Sequence, residues 1–273
     1  METAMHPIPF SKWSPCGNTT LFFPASVDKK LWALIAQKSL CDTDLCAEQV
    51  GFIHEDKRML SMAGGEFCLN AARAFGALLA MRKNEGKTEN SVSTTTIQVS
   101  GWPTPVLVRA EGQTPHWLVT ATLTLPDTPI EELGEGIVLV RLPGISHLLL
   151  DQTSHPWSGR EDAIQTFQTL QNKYDLKREA CLGCIWWQRN EKKMSIRPLV
   201  FVREPHSLIF ENSCGSASLA LALFSKPAEP LSIRQPSGDT LTLIIQPNEN
   251  SIHITGPVTL VAQGTYYGAD ESY

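Results

Sequence analysis

Two short stretches set a cysteine ahead of a helix-forming run: MAGGEFCLNAAR, which contains Cys68, and FENSCGSASLAL, which contains Cys214. A glutamate precedes each, Glu66 or Glu211, and small or polar residues lead on into Ala/Leu-rich sequence. The first turn of a helix carries unpaired N–H groups and a partial positive charge, so it binds carboxylates and stabilises thiolates. A cysteine placed there is expected to have its pKa lowered from about 8.5 toward neutrality. If both helix starts face one cleft, a group bound between them has a thiol on each side. Such a pair can take a proton from one face of a carbon and return one to the other face, thiolate and thiol exchanging roles with direction. Inverting an amino acid at Cα is the matching reaction class. Its carbanion is hard to make, and two helix N-termini aimed at the substrate carboxylate would stabilise it electrostatically. The chain has no recognisable lysine context for pyridoxal phosphate, so no cofactor and no metal are expected.

The elements that must hold these thiols recur in the same order in each half. FSKWSPCGNTTLFFP reads as strand, turn, strand, with Pro15 and Gly17 to Asn18 at the turn. Residues 28–40 have a helical apolar spacing with Asp28 near the start, and EQVGFIHED and KRMLSMAG read as short strands. The pattern predicts a helix from Leu69 to Lys83, then alternating strands over 92–125. In the second half IVLVRLPGISHLLL is β-rich and REDAIQTFQTLQNKY is helical. CIWWQR, MSIRPLVFV and HSLIFEN read as strands, SASLALALFSK as a second Ala/Leu helix, and three closing segments as strands. Cys68 and Cys214 lie 146 residues apart, which fits weak duplication of an α+β lobe better than a short-period repeat array. The predicted fold is therefore α+β, with two pseudo-symmetric lobes, each a mixed sheet wrapped around a central helix. Proline, acid and glycine in LPDTPIEELG suggest a linker near 126–135. That divides the chain into residues 1–128 and 129–273, with the last strand free to cross back.

The 273 residues are 42% hydrophobic, enough for a sizeable core. A net charge of −5 argues against nucleic acid or an anionic membrane as the main partner. No run approaches a membrane span, and METAMHPIPFSKW lacks the basic and apolar regions of a secretion signal, so a cytoplasmic protein is expected. Seven cysteines without such a signal read as thiols rather than a disulfide framework. Cys181-Leu-Gly-Cys184 with Cys41 and Cys46 could form a four-thiolate zinc site, but the C-x4-C pair is too loose for a usual knuckle. Running into Ile185-Trp186-Trp187, the CxxC reads more simply as the edge of a buried strand, and the tryptophans as core.

CLNAAR after Cys68 resembles the CGNGAR block, and SCGSAS around Cys214 the ACGSG block, of diaminopimelate-epimerase-like, cofactor-independent amino-acid racemases and epimerases. FSKWSPCGNTT is similar to that family's opening strand, and HITGPVTLVAQGTYY to its closing one, so the resemblance spans nearly the whole chain. The combination of FSK-x-x-P-x-GN-x-T, EQVGFI, GGEFC-x-N, ENSCGS and T-x-V-A-x-G looks most like the histidine racemases that supply D-histidine for opine-type metallophores.

What the resemblance implies is a two-base racemase with Cys68 and Cys214 as the catalytic pair and a small amino acid as partner. It implies neither nucleic acid nor membrane, and it leaves a homodimer open. Asn18 and Asn70 match substrate-binding asparagines, and Gly215 and Ser216 match the helix-end groups that receive the carboxylate. His147 stands at the family's histidine, although Gly-Ile-Ser precedes it, and it reads equally as a core histidine. Leu69 replaces the glycine after the first cysteine and reshapes the approach to substrate. The epimerase's G-E-T is absent, with Glu211 three positions before Cys214, which argues against recognition of diaminopimelate. Glu48 and Gln49 read as a hydrogen-bonding wall, Glu48 holding an imidazole N–H, or as plain strand-edge residues. Glu66 and Glu211 also read as local caps. The rivals are a diaminopimelate epimerase or another amino-acid racemase within the family, and a redox or metal-binding thiol protein outside it.

Overall fold

A helix whose apolar and small residues run round most of its surface belongs in an interior. The segment LNAARAFGALLAMRK is of this kind: all of Leu69–Leu78 and Ala80 are buried, Asn70 and Arg73 among them. A computed structural model describes residues 7–85, 90–190 and 193–268. Its first elements are β1 (Ile8–Pro15), β2 (Thr20–Pro24), α1 (Trp32–Cys41), β3 (Gln49–His54), β4 (Met59–Met62), α2 (Leu69–Lys83), β5 (Ser91–Val99), β6 (Val106–Gln113) and β7 (His116–Thr124). The chain continues through β8 (Ile130–Gly134), β9 (Ile137–Leu142), β10 (Ile145–Asp151), α3 (Arg160–Lys173), β11 (Cys181–Asn190), β12 (Lys193–Val202) and β13 (Ser207–Phe210). It ends with α4 (Gly215–Ser225), β14 (Leu231–Arg234), β15 (Thr240–Gln246) and β16 (Ser251–Tyr266). The first residues of METAMHPIPFSKW, numbers 1–6, lie outside the described residues.

The class is α+β with a mixed sheet. Strands β1 to β7 follow one another in order, and β16 pairs with both β7 and β1, closing an eight-stranded barrel around α2. Closure is possible because β16 is long: Thr259 to Ser251 face β7 while Val258 to Tyr266 face β1. The sheet then continues from β16 through β15, β14, β12, β11, β10 and β9 to β8, with β13 on β12. Helix α4 packs on one face of this second part, against β9, β10 and β15, and α3 packs on the other. Strand β9, IVLVRL, is consequently apolar on both faces: Val138 and Val140 join the core around α4, and Ile137 and Leu139 the core under α3. Helix α1 covers the outside of the barrel, with Trp32 stacked on Phe52 at 4.2 Å. Among the described residues no helix is long and apolar enough to cross a membrane.

One expectation needs correction, and one alternative weighed against is settled. Residues 130–134, read as linker, form strand β8, paired with β9 at the sheet edge. Its acidic, exposed sequence looks like a loop because an edge strand needs only one partner and gains from charge that discourages further pairing. The four cysteines weighed as a zinc site do not meet. Cys181 and Cys184, three apart on β11, face opposite sides of the sheet and enter different cores, while Cys41 and Cys46 are exposed.

Gly76 lets α2 lie against β6, since a Cβ there would stand 2.2 Å from Val108 Cγ1. On an open helix Gly→Ala gains about 1 kcal/mol. Here Gly76→Ala is expected to lose about 1–3 kcal/mol by overpacking, and Val108→Ala should recover part of that loss in the double variant. Urea unfolding measures both, and a stabilised Gly76→Ala would contradict the packing.

Candidate active site

Cys68 and Cys214 are the N-cap residues of α2 and α4, with nearly the same backbone geometry: φ −122°, ψ 104° and φ −132°, ψ 105°. The Cys68 Sγ accepts from the Ala71 N–H at 3.2 Å, as a capping side chain does. Both thiols line one cleft of about 580 Å³, counting its solvent-open mouth.

The helix starts meet through buried polar contacts from distant parts of the chain. The carbonyl of Ser213 accepts from Asn18 Nδ2 at 2.9 Å and from Asn70 Nδ2 at 3.0 Å. Asn70 is itself oriented by fully buried Arg73, whose Nη2 donates to Asn70 Oδ1 at 2.8 Å. Gln235, from the turn after β14, accepts from the Cys214 N–H at 3.0 Å and donates to Ser218 Oγ. Gly215 allows the final approach: a Cβ there would lie 2.9 Å from Leu69 Cβ and 3.0 Å from Asn70 Oδ1.

Hydrogen bonds run from one thiol toward the other. Cys68 donates to Gln49 Oε1 at 2.8 Å and Gln49 Nε2 donates to Glu211 Oε1 at 2.7 Å, and the Glu211 carboxyl stands close enough to Cys214 to bear on its thiol. Three carboxyl groups share the cleft wall, and burial pushes Glu48 and Glu66 up to about 7 and Glu211 up to about 8. Burial and then the nearby Glu211 carboxylate raise both thiols as well, well above the ordinary thiol value. This reverses the lowered thiol pKa expected of a helix cap. The N–H groups of the cap do pull Cys68 down, but desolvation outweighs them.

Of the residues singled out in the sequence, Glu48, Leu69, Asn70, Glu211, Gly215 and Ser216 join the two cysteines on the cleft wall. Asn18 and His147 do not reach it. Asn18 is wholly buried, holding the Ser213 carbonyl and Glu48 Oε2. His147 stands behind Ser216, its Nε2 3.0 Å from Ser216 Oγ, and burial lowers it to about 3, so the ring is neutral. Gly183 of the CxxC segment makes room for that ring, since a Cβ would meet His147 Nδ1 at 2.2 Å. Glu48 spends its carboxylate on the backbone and side-chain N–H groups of Asn212 and on Asn18. Sequence reasoning missed Gln235 and Ser213, and no local pattern marks either, because their roles are contacts with distant residues. Among the described residues no group of three His, Cys, Asp or Glu side chains is arranged to hold a metal.

A family model described as the histidine racemase CntK N-terminal domain matches residues 7–267. The chain belongs to the histidine racemase family. A histidine racemase of Fusobacterium nucleatum is 32% identical over 98% of this chain and 100% of its own. One from Staphylococcus aureus is 26% identical over 95% of this chain and 97% of its own. Among solved structures, a hydroxyproline epimerase from Agrobacterium vitis, with trans-4-hydroxy-L-proline bound, matches with a TM-score of 0.60 at 9% identity, covering 96% of this chain and 91% of that one. A predicted epimerase from Pseudomonas aeruginosa matches with a TM-score of 0.61 at 12% identity, covering 96% and 100%. These two likenesses concern the fold. As a member of the histidine racemase family the chain is an amino-acid isomerase.

The acid groups of this racemase site fix a pH dependence of folding. Carboxyls held above their unfolded values bind protons that the unfolded chain has already released, so stability falls as pH rises through 7–8. His147 acts in the opposite sense but only below about 6.5, its unfolded value. From pH 6.5 to 8.5, in reductant, the free protein is expected to lose about 1–3 kcal/mol, and Glu211→Gln should flatten the slope. Melting temperatures at the two pH values check this, and a Tm that holds level or rises would contradict burial of ionisable carboxyls.

Proposed function

We propose that this chain interconverts L- and D-histidine without a cofactor, using Cys68 and Cys214 as the two acid–base groups. The observation that carries this reading is the pair of N-cap cysteines, one from α2 and one from α4, on the wall of a single cleft. One thiolate removes the α-proton and the opposite thiol delivers a proton to the other face, so the next turnover in the same direction requires the original protonation states to be restored. The hydrogen bonds from Cys68 through Gln49 to Glu211, whose carboxyl bears on Cys214, support an exchange of that kind. The substrate carboxylate is placed at the abutting first turns, by Leu69 and Asn70 of α2 and Gly215 and Ser216 of α4. There, unpaired N–H groups favour the dianionic enolate over the ground state.

The α-ammonium falls to Glu211, whose Oε2 has no hydrogen-bond partner among the described residues. His147 and Asn18 act from behind the wall, through Ser216 and through Ser213 and Glu48. Glu48 was the residue expected to hold the imidazole, and its engaged carboxylate instead supports a part in fixing Asn212. We read residues 1–128 and 129–273 as two pseudo-symmetric lobes that each present one thiol, and place the protein in the cytoplasm, where thiols stay reduced. The names of the relatives support histidine as substrate, and the sequence resemblance supports use of D-histidine in an opine-type metallophore.

Cys68→Ala and Cys214→Ala are each expected to lose at least about 100-fold in histidine racemisation, the usual cost of an acid–base group, while remaining folded. Chiral chromatography should show L-histidine turned over at least about tenfold more efficiently than meso-diaminopimelate, L-proline or L-glutamate, in reductant and with or without chelator. Either variant retaining more than about a tenth of parental turnover would sink the two-thiol reading, and loss on chelation would favour a metal site.

A further inference from the structure

We propose that Glu66 reads the substrate's side chain, its Oε2 accepting the N–H of the imidazole ring. The inference deepens the histidine-racemase reading and rests on it.

Glu66 lies on the cleft wall, and its side chain is buried, yet Oε2 has no hydrogen-bond partner among the described residues. Backbone N–H groups, its own and that of Gly64, offset part of the rise that burial gives its pKa. A buried carboxylate oxygen without a donor is costly, and a protein retains one where a ligand completes it. Burial holds the carboxyl near 7, so both charged and neutral forms are accessible near neutrality.

Position separates Glu66 from the other two glutamates. Glu48 is saturated by Asn212 and Asn18. Glu211 accepts from Gln49 and its charge bears on Cys214, beside the carbon that must invert. The Glu66 carboxyl lies by the turn after β12: a Cβ on Gly64 would touch Glu66 Oε2 at 2.9 Å, Val202 Cγ1 at 2.5 Å and the Glu204 carbonyl at 2.1 Å. Val202, Pro205 and Ile209 complete an apolar surround at that end. An aromatic ring with one polar edge fits such a wall.

The cleft thus offers two orphaned carboxylate oxygens, Glu211 Oε2 and Glu66 Oε2, and histidine brings two donors, the α-ammonium and a ring N–H. With Cα held between the thiols, the ammonium reaches the nearer oxygen and the ring the farther one. Glu66 is then a specificity residue, not an acid–base group. Its charge also bears on Cys68 and Glu211, so removing it lowers both of their pKa values.

The test compares Glu66→Gln and Glu66→Ala with the parent for L-histidine racemisation and measures L-histidine binding calorimetrically in the Cys68→Ala background. The expected result is a KM and a dissociation constant raised tenfold or more, with kcat reduced less than KM is raised, in folded variants. The parent itself supplies a second measurement. Of the two ring N-methyl isomers of L-histidine, the one whose methyl replaces the Glu66-facing N–H should inhibit at least tenfold more weakly than the other. A parent that racemises histidine, beside a Glu66→Gln variant with KM within twofold of it, would overturn the inference and leave the function standing. Equal inhibition by both methyl isomers would overturn it in the same way. A parent inactive on histidine would overturn both.

Discussion

The carbonyl of Ser213 accepts one hydrogen bond from Asn18 and one from Asn70, and the geometry of the cleft depends on that shared acceptor. Asn18 follows the β1–β2 turn, Asn70 sits in the first turn of α2, and Ser213 immediately precedes Cys214. Three chain segments separated by up to 195 residues are thereby fixed at one point. Arg73 orients the Asn70 amide, and Gly215 removes the side chain that would keep α4 from Leu69. Each contact is buried, so losing one partner would leave a polar group unpaired at a cost of about 1–3 kcal/mol. The barrel serves the same end. Its closure by β16 surrounds α2, and the continuation of that sheet carries α4 against the start of α2.

Two electrostatic tendencies oppose each other at the thiols. Helix N-termini favour thiolate, while burial and the carboxylate of Glu211 favour thiol. Burial wins: both thiols lie above the ordinary thiol value, and the carboxyls beside them are poised near 7 to 8.

Much of this was legible in the chain itself. A strong apolar run such as Leu69–Lys83 marks its own limits, and a cysteine just ahead of it is a cap whatever the fold around it. The alternation of β5 to β7 is likewise local information. Strand β8 was not legible, since an exposed edge strand of acidic residues resembles a linker. The sign of the thiol shift was missed for a related reason: a helix end is visible in sequence, whereas burial is a property of the assembled site. Asn18 and His147 match the family's motifs but stand behind the wall, because motif position fixes the element that carries a residue and not the direction in which its side chain is used. Gln235 and Ser213 gave no signal, since what matters in each is a bond across 21 or 195 positions.

The claim that each thiol serves one face of Cα is tested most directly by racemising L-histidine in deuterium oxide and examining both enantiomers early in the reaction. Two separate acid–base groups predict D-histidine that carries deuterium at Cα from the first turnovers, while recovered L-histidine remains protiated. Deuterium appearing in recovered L-histidine as fast as in D-histidine would mean that one group exchanges its proton on both faces, and would contradict the two-thiol site.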